Sequence, residues 1–336
     1  MKKVFLTLVA ATVAATMSFA QSNLVATLSH EGEVSVFHGS NSLKEALAAA
    51  NHGDIITLAS GCYNAGNITK AITLRGAGTE ADDTSTGAAR TEIAGDFTIA
   101  INIPDSINEH LKMEGIYHAG KIRIEGTLSN AMLQKCQFNF IDVPSYREII
   151  NSLTCIHCKI IQGIILTYGN NATAKFINCV INTPCNFPQS VDYNGSLEFT
   201  NCLILGSVAG VYKSYFQNCI LNVSNKLSST NMASYCAGYT SDSAGSPFAS
   251  LATQATNKVL TQEQMNALFK SETTYELTDE AKAEYVGIDG KELGIYGGNL
   301  PYETRILSPQ ITKCNVAAKT TADGKLSVDI EVKAAE

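Results

Sequence analysis

Phe176-x-Asn178-Cys179-x-Ile181, Phe199-x-Asn201-Cys202-x-Ile204 and Phe216-x-Asn218-Cys219-x-Leu221 state one phrase three times. Two looser copies precede it, Leu133-x-Lys135-Cys136-x-Phe138 and Cys155-x-His157-Cys158-x-Ile160. The shared cysteines, 136, 158, 179, 202 and 219, lie 22, 21, 23 and 17 residues apart. A repeat of that length, built from β-formers, matches one turn of a stacked β-solenoid. Alternation within a strand then assigns the faces. Leu133, Cys155, Phe176, Phe199 and Phe216 point inward, as do Phe138, Ile160, Ile181, Ile204 and Leu221. The recurring cysteines form an interior ladder at strand spacing. They are read as buried thiols rather than bridges, because in-register side chains point the same way and not at one another. Asn178, Asn201 and Asn218 fall at a tight turn, where asparagine tolerates the left-handed backbone and its amides are expected to bond along the stack. Lys135 and His157 take that place in the earlier coils.

The residue after each ladder cysteine points outward: Gln137, Lys159, Val180, Leu203 and Ile220. The last three are apolar where water is expected, so a cover is required. Thr261–Lys270, with Leu260, Met265, Leu268 and Phe269, reads as a short helix able to supply it.

Upstream, Ser42-Leu43-Lys44-Glu45 reads as a capping box opening a helix with Leu43, Leu47 and Ala50 on one face. Evenly spaced strand segments follow. The phrases Leu43-x-x-Ala46-Leu47-x-x-Ala50, Gly53-Asp54-x-Ile56-x-Leu58-x-x-Gly61-x-Tyr63 and Ile72-x-Leu74-x-Gly76 resemble the N-terminal signature of right-handed parallel β-helix proteins. That group is pectate-lyase-like and includes secreted bacterial polysaccharide lyases and many relatives without assigned activity. Gly287-x-Asp289-Gly290 and Gly294-Ile295-Tyr296-Gly297-Gly298 resemble a closing phrase of the same proteins. The resemblance implies an all-β, right-handed, three-sheet solenoid with an N-terminal capping helix and a mixed C-terminal segment. At strand spacing, roughly eight coils make about 40 Å.

Residues 1–20 carry Lys2 and Lys3, an apolar stretch and Ser18-Phe19-Ala20, the pattern of a secretory signal peptide. The expected organisation is a leader at 1–20, a parallel β-helix with its cap and packing segment at 21–300, and a tail at 301–336. Two strands joined at Asp323-Gly324 make that tail a β-hairpin. The expected location is the periplasm or cell exterior of a Gram-negative bacterium, with no transmembrane segment in the mature chain. The chain holds 24 basic against 31 acidic residues, and two of the lysines sit in the leader. That acidity speaks against nucleic acid as a partner. Of the ten cysteines, Cys62, Cys155, Cys185, Cys236 and Cys314 fall off the ladder, and their pairing does not follow from spacing.

A lyase on this fold needs a group to neutralise a uronate, a base and an acid. Arg123, Arg147 and Lys159 are the catalytic candidates, with His118, Lys121 and Glu148 beside them in sequence. Tyrosines 146, 168, 193, 212 and 215 are candidates to line a ligand face, in a chain without tryptophan. The resemblance implies calcium held on carboxylates, or lysine and arginine without it; Glu80, Asp82 and Asp83 form the best acidic cluster but lack the spacing of a calcium loop. No metal site and no cofactor are expected. No compact acid, base and metal set emerges. The leading expectation is a secreted binding or cell-surface protein, associated with a polysaccharide or another surface component. The alternative is a polysaccharide lyase or glycoside hydrolase acting on acidic polysaccharide.

Overall fold

The computed structural model describes residues 24–80, 90–101, 108–144, 148–166, 172–183, 185–186 and 195–305, and the backbone of 310–316 and 328–333. The expected leader, residues 1–20, lies outside them. The chain is mostly β and forms two long sheets of parallel strands, a solenoid-like arrangement.

The first sheet has eleven strands, running from Glu33–His38 at one edge to Met232–Ser234 at the other. The second has twelve and runs from Gly61–Asn64 to Lys258–Val259. The chain passes from one sheet to the other through the turn that carries each ladder cysteine: Thr127–Gln134 belongs to the first sheet and Gln137–Val143 to the second. Pairing is parallel except at the N-terminal end, where Val25–His30 pairs antiparallel with Glu33–His38 and with Ile55–Leu58. Among the described residues, the second sheet also extends past a bend. Ile116–Ile124, Gln137–Val143 and Lys159–Leu166 are long, and a register shift between Phe138 and Phe140 bends them. Phe97–Ile99 and Cys185–Asn186 pair with their far halves.

The repeat sets the core. Leu133, Cys155, Phe176, Phe199 and Phe216 are in register across the first sheet and fully buried. The three phenylalanine rings stack at 5.0 and 4.7 Å, nearly parallel. Each such contact adds about 0.5–1.5 kcal/mol beyond area burial. The cysteine ladder is present and one rung longer than expected, because Cys236, read from the sequence as off the ladder, continues it. Cys155 points into the core as expected. The ladder thiols bond to carbonyls, Cys158 to Leu133 at 3.3 Å and Cys202 to Phe176 at 3.3 Å. Every ladder thiol is free and buried, and Cys62 is free and exposed. Burial pushes the Cys136, Cys155, Cys202 and Cys236 thiols well above their ordinary value.

Helix α1, Ser42–Ala49, buries Leu43, Ala46 and Leu47 against the first strands. Its start differs from the capping box. Asn41 is the N-cap, and the Ser42 hydroxyl is buried without a partner among the described residues. A box does form where a second helix begins: Thr261 caps α2, Gln262–Asn266, and Gln264 reciprocates. A third helix, α3, spans Asp279–Glu284. Val180, Leu203, Ile220 and Ala237 are buried beneath Leu260, Met265, Leu268, Leu277, Tyr285, Leu293 and Ile295. The apolar outward stripe is covered by the C-terminal segment, as its composition required.

The turn residues behave differently from expectation. Lys135, His157, Asn178, Asn201 and Asn218 all adopt the left-handed conformation, with φ between 49° and 54°. Instead of bonding along the stack, the side chains of Lys135, His157, Asn178 and Asn218 hold a strap formed by residues 287–305. Asn178 donates to the carbonyls of Ile295 (2.7 Å) and Gly297 (2.9 Å), and Asn218 accepts from the Ile288 amide (3.0 Å). His157 bonds the Leu300 carbonyl at 3.0 Å, and the Lys135 ammonium donates to the Arg305 carbonyl at 2.7 Å. The glycines of the closing phrase now have a reason. A Cβ on Gly287 would lie 2.7 Å from Asn218 Cγ, so glycine lets the strap reach the asparagine turns. Beyond the strap, Gln310–Val316 pairs antiparallel with Val328–Lys333, while Asp323-Gly324 lies outside the described residues.

Candidate binding face

Register places Cys62, Glu92, Tyr117, Gln137, Lys159, Val180, Leu203, Ile220 and Ala237 in one outward column of the second sheet. From Val180 to Ala237 the column is apolar and lies under the cover, and Lys258 ends it as an exposed cation. Up to Lys159 it is polar or aromatic and only partly buried or exposed. The uncovered half is the surface with the richest side-chain chemistry.

Its organising contact is Arg90, whose guanidinium sits 3.7 Å from the centre of the Tyr117 ring. Glu92, one strand away, accepts from the same guanidinium at 2.7 Å and fixes its plane. Cation–π attraction and the ion pair together hold Arg90 flat on the sheet. Cys62 stands beside this pair. Burial raises its thiol, Glu92 adds to the rise, and Arg90 opposes it.

Past the bend lies a second cluster. Asp96 accepts from the Lys121 amide at 2.8 Å, and the Lys121 ammonium is 3.9 Å from Asp142. Arg123 pairs by register with Asp142 and Thr98 in the next strands and is exposed. Neither Arg123 nor Lys159 has an ion-pair partner among the described residues. They are separate, however. Lys159 aligns with Tyr117 through Gln137, and Arg123 lies six residues further along and two strands away. At about 3.3 Å per residue that is too far to grip one small group together.

Of the other candidates, His118 is interior and not part of any face. It is 1 % exposed, with Nδ1 donating to the Ile93 carbonyl at 2.9 Å and its ring 4.8 Å from Phe97. Strand alternation explains this, since Tyr117 faces outward and its neighbour must face the core. Tyr146, Arg147, Tyr168 and Tyr193 lie outside the described residues, as do Asp82 and Asp83. Tyr212 packs against the core. Tyr215 faces outward on the first sheet, where its hydroxyl is taken up by Ser234 (2.8 Å) and Gln217 (3.0 Å). The described tyrosines of the expected row therefore do not join Arg123 or Lys159. Lys175 and Glu198 form a 2.9 Å surface ion pair on the same outer face as Tyr215.

Glu80 is exposed, and among the described residues no group of three or more His, Cys, Asp or Glu is placed to hold a metal ion. A hollow of about 470 Å³ is lined by Ala100, Ile101, Leu111 and residues 125–129, with Glu125 its one charged lining residue. At the N-terminal end, His30 Nδ1 bonds Asp54 at 2.7 Å, and the second Asp54 oxygen accepts from the Asn51 amide at 2.7 Å. Asp54 raises the His30 imidazole above its ordinary value. This pair joins the first strand to the end of α1.

Arg90, Glu92 and Tyr117 were not among the sequence candidates. The signal was available: their column is the one that names Lys159, extended two strands toward the N-terminus. It was hidden because those strands lack the ladder cysteine.

No family model matches the chain, and neither the curated proteins nor the solved structures contain a match to it.

Proposed function

We propose that this chain is an exported binding protein that recognises a glycan or other cell-surface component with the uncovered half of its second sheet. In this reading the solenoid is a right-handed parallel β-helix of roughly eight coils, with α1 as its N-terminal cap. Its site is the periplasm or exterior of a Gram-negative cell, reached through the leader at 1–20. Among the described residues, no helix is long and apolar enough to cross a membrane.

One observation carries the proposal: the outward column is covered wherever it is apolar and left open where it presents Tyr117, Gln137 and Lys159. A flat face with an anchored Arg–Tyr platform and separate cations suits a long ligand gripped at several points. A reaction centre would need its groups within about 3 Å of one reacting atom, and Arg123 and Lys159 do not meet that condition.

The test is retention of the full chain on immobilised neutral and uronate polysaccharides, with ultraviolet absorbance recording any unsaturated ends. The expected result is retention without new absorbance, weakened about tenfold or more in the Arg90→Ala/Lys159→Ala double variant. Retention equal to that of the unsubstituted chain would remove this face from the proposal. Absorbance growth would replace it with lyase chemistry on acidic polysaccharide.

A further inference from the structure

Five left-handed turn residues line the strap's path, and four of them hold it by side-chain hydrogen bonds. Of these four, His157 alone changes charge in mildly acidic medium. A carbonyl can only accept, so the bond to Leu300 fixes the proton of the neutral ring on Nε2 and leaves Nδ1 bare. That Nδ1 is buried without a partner among the described residues, in a side chain 7 % exposed.

Protonation would put a charge where little solvent reaches it, a cost that the Leu300 and Glu303 backbone carbonyls offset only in part. The charged and titratable neighbours come from two elements. From the adjacent turn, Lys135 places a second cation nearby and opposes protonation. From the strap, Glu303 favours it, but its carboxylate is already engaged by the Arg305 guanidinium at 3.2 Å. Tyr302, also on the strap, presents its ring edge-on at 6.0 Å. Burial outweighs Glu303 and holds the docked imidazole below its ordinary value.

We propose that His157 is a pH-sensitive latch: neutral, it holds residues 300–305 against the turn column, and protonated, it releases them. The sign follows from linkage. The released strap returns His157 to its ordinary value of 6.5, so the released form binds more protons and docking weakens as pH falls below 6.5. Each unit of difference between the docked and released values is worth tenfold in the docking equilibrium.

The Tyr302 amide reports on release of residues 300–305, because it donates at 2.8 Å to the Ile295 carbonyl, which Asn178 anchors independently of His157. Its hydrogen exchange, corrected for intrinsic rates, is measured in the full chain at pH 7.5 and 5.5. The Asn201 amide, bonded within the coils at 3.0 Å, serves as the reference. The expected result is a loss of protection at Tyr302 at the lower pH, up to about tenfold one unit below 6.5, with Asn201 unchanged. His157→Asn supplies the side chain that Asn178 uses at the equivalent turn, and should hold the strap equally at both pH values. A pH-independent Tyr302 in the native chain would overturn the latch, as would an undiminished pH response in His157→Asn. The imidazole titration, followed by NMR in the native chain, is a check that needs no variant: a His157 value at or above 6.5 would also overturn it.

Discussion

One column of one sheet is built in two ways. Glu92, Tyr117, Gln137 and Lys159 face solvent, while Val180, Leu203, Ile220 and Ala237, at the same register position, lie under α2, α3 and the strap. The column keeps one register through both halves, so the side chains at that position decide what can cover it. A solenoid's outer face is a row of equivalent positions, and each can be spent on internal packing or left for an outside partner. In this chain the division falls between Lys159 and Val180.

The largest effect that would break the comparison is on stability. Leu203→Ala removes a buried side chain from the covered half and should cost about 2–5 kcal/mol in denaturant unfolding. Gln137→Ala, one register position of the uncovered half, should stay within about 0.5 kcal/mol. Equal costs would mean that the two halves are not different environments.

The next effect concerns how the cover is held. Asn178→Ala strands the Ile295 and Gly297 carbonyls and forces alanine into a left-handed backbone, for a combined loss of about 2 kcal/mol. Asn178→Gly relieves the backbone and loses only the bonds, so about 1 kcal/mol is expected. A glycine variant as weak as the alanine variant would place the whole effect in the strap contact.

These contacts show where the sequence was readable. The ladder, the inward phenylalanines and the need for a cover could be read because each is a periodic pattern on one strand face, and periodicity follows from backbone geometry. Cys236 was missed because its rung lacks both neighbours of the phrase: Tyr235 stands at the asparagine turn and Ala233 at the phenylalanine position. The strap contact was not readable. Asparagine at a left-handed turn is explained by the turn alone, and nothing in its spacing shows that its amide serves a segment more than a hundred residues away. Ser42 misled for the opposite reason. Its capping-box pattern is local, but packing drew the residue into the first turn of the helix and left Asn41 at the cap.

The smallest effect sets two histidines against each other. Asp54 raises the His30 imidazole, whereas burial lowers that of His157. A raised folded value contributes stability that is complete below the unfolded value of 6.5 and is lost as pH rises through the folded value. His157 works the other way, and its docked state weakens as pH falls below 6.5. His30 is exposed, so its share is small and screened by salt. Melting temperature from pH 6 to 8.5 should therefore fall slightly more in the native chain than in His30→Ala, with the gap closing in high salt. The strap reporter at Tyr302 should not respond to His30→Ala, because Asp54 lies at the N-terminal edge of the first sheet and residues 300–305 dock over its middle strands, several strands away. A Tyr302 response to that substitution would show that the N-terminal edge and the strap are coupled, and that the covered and uncovered halves do not behave as independent surfaces.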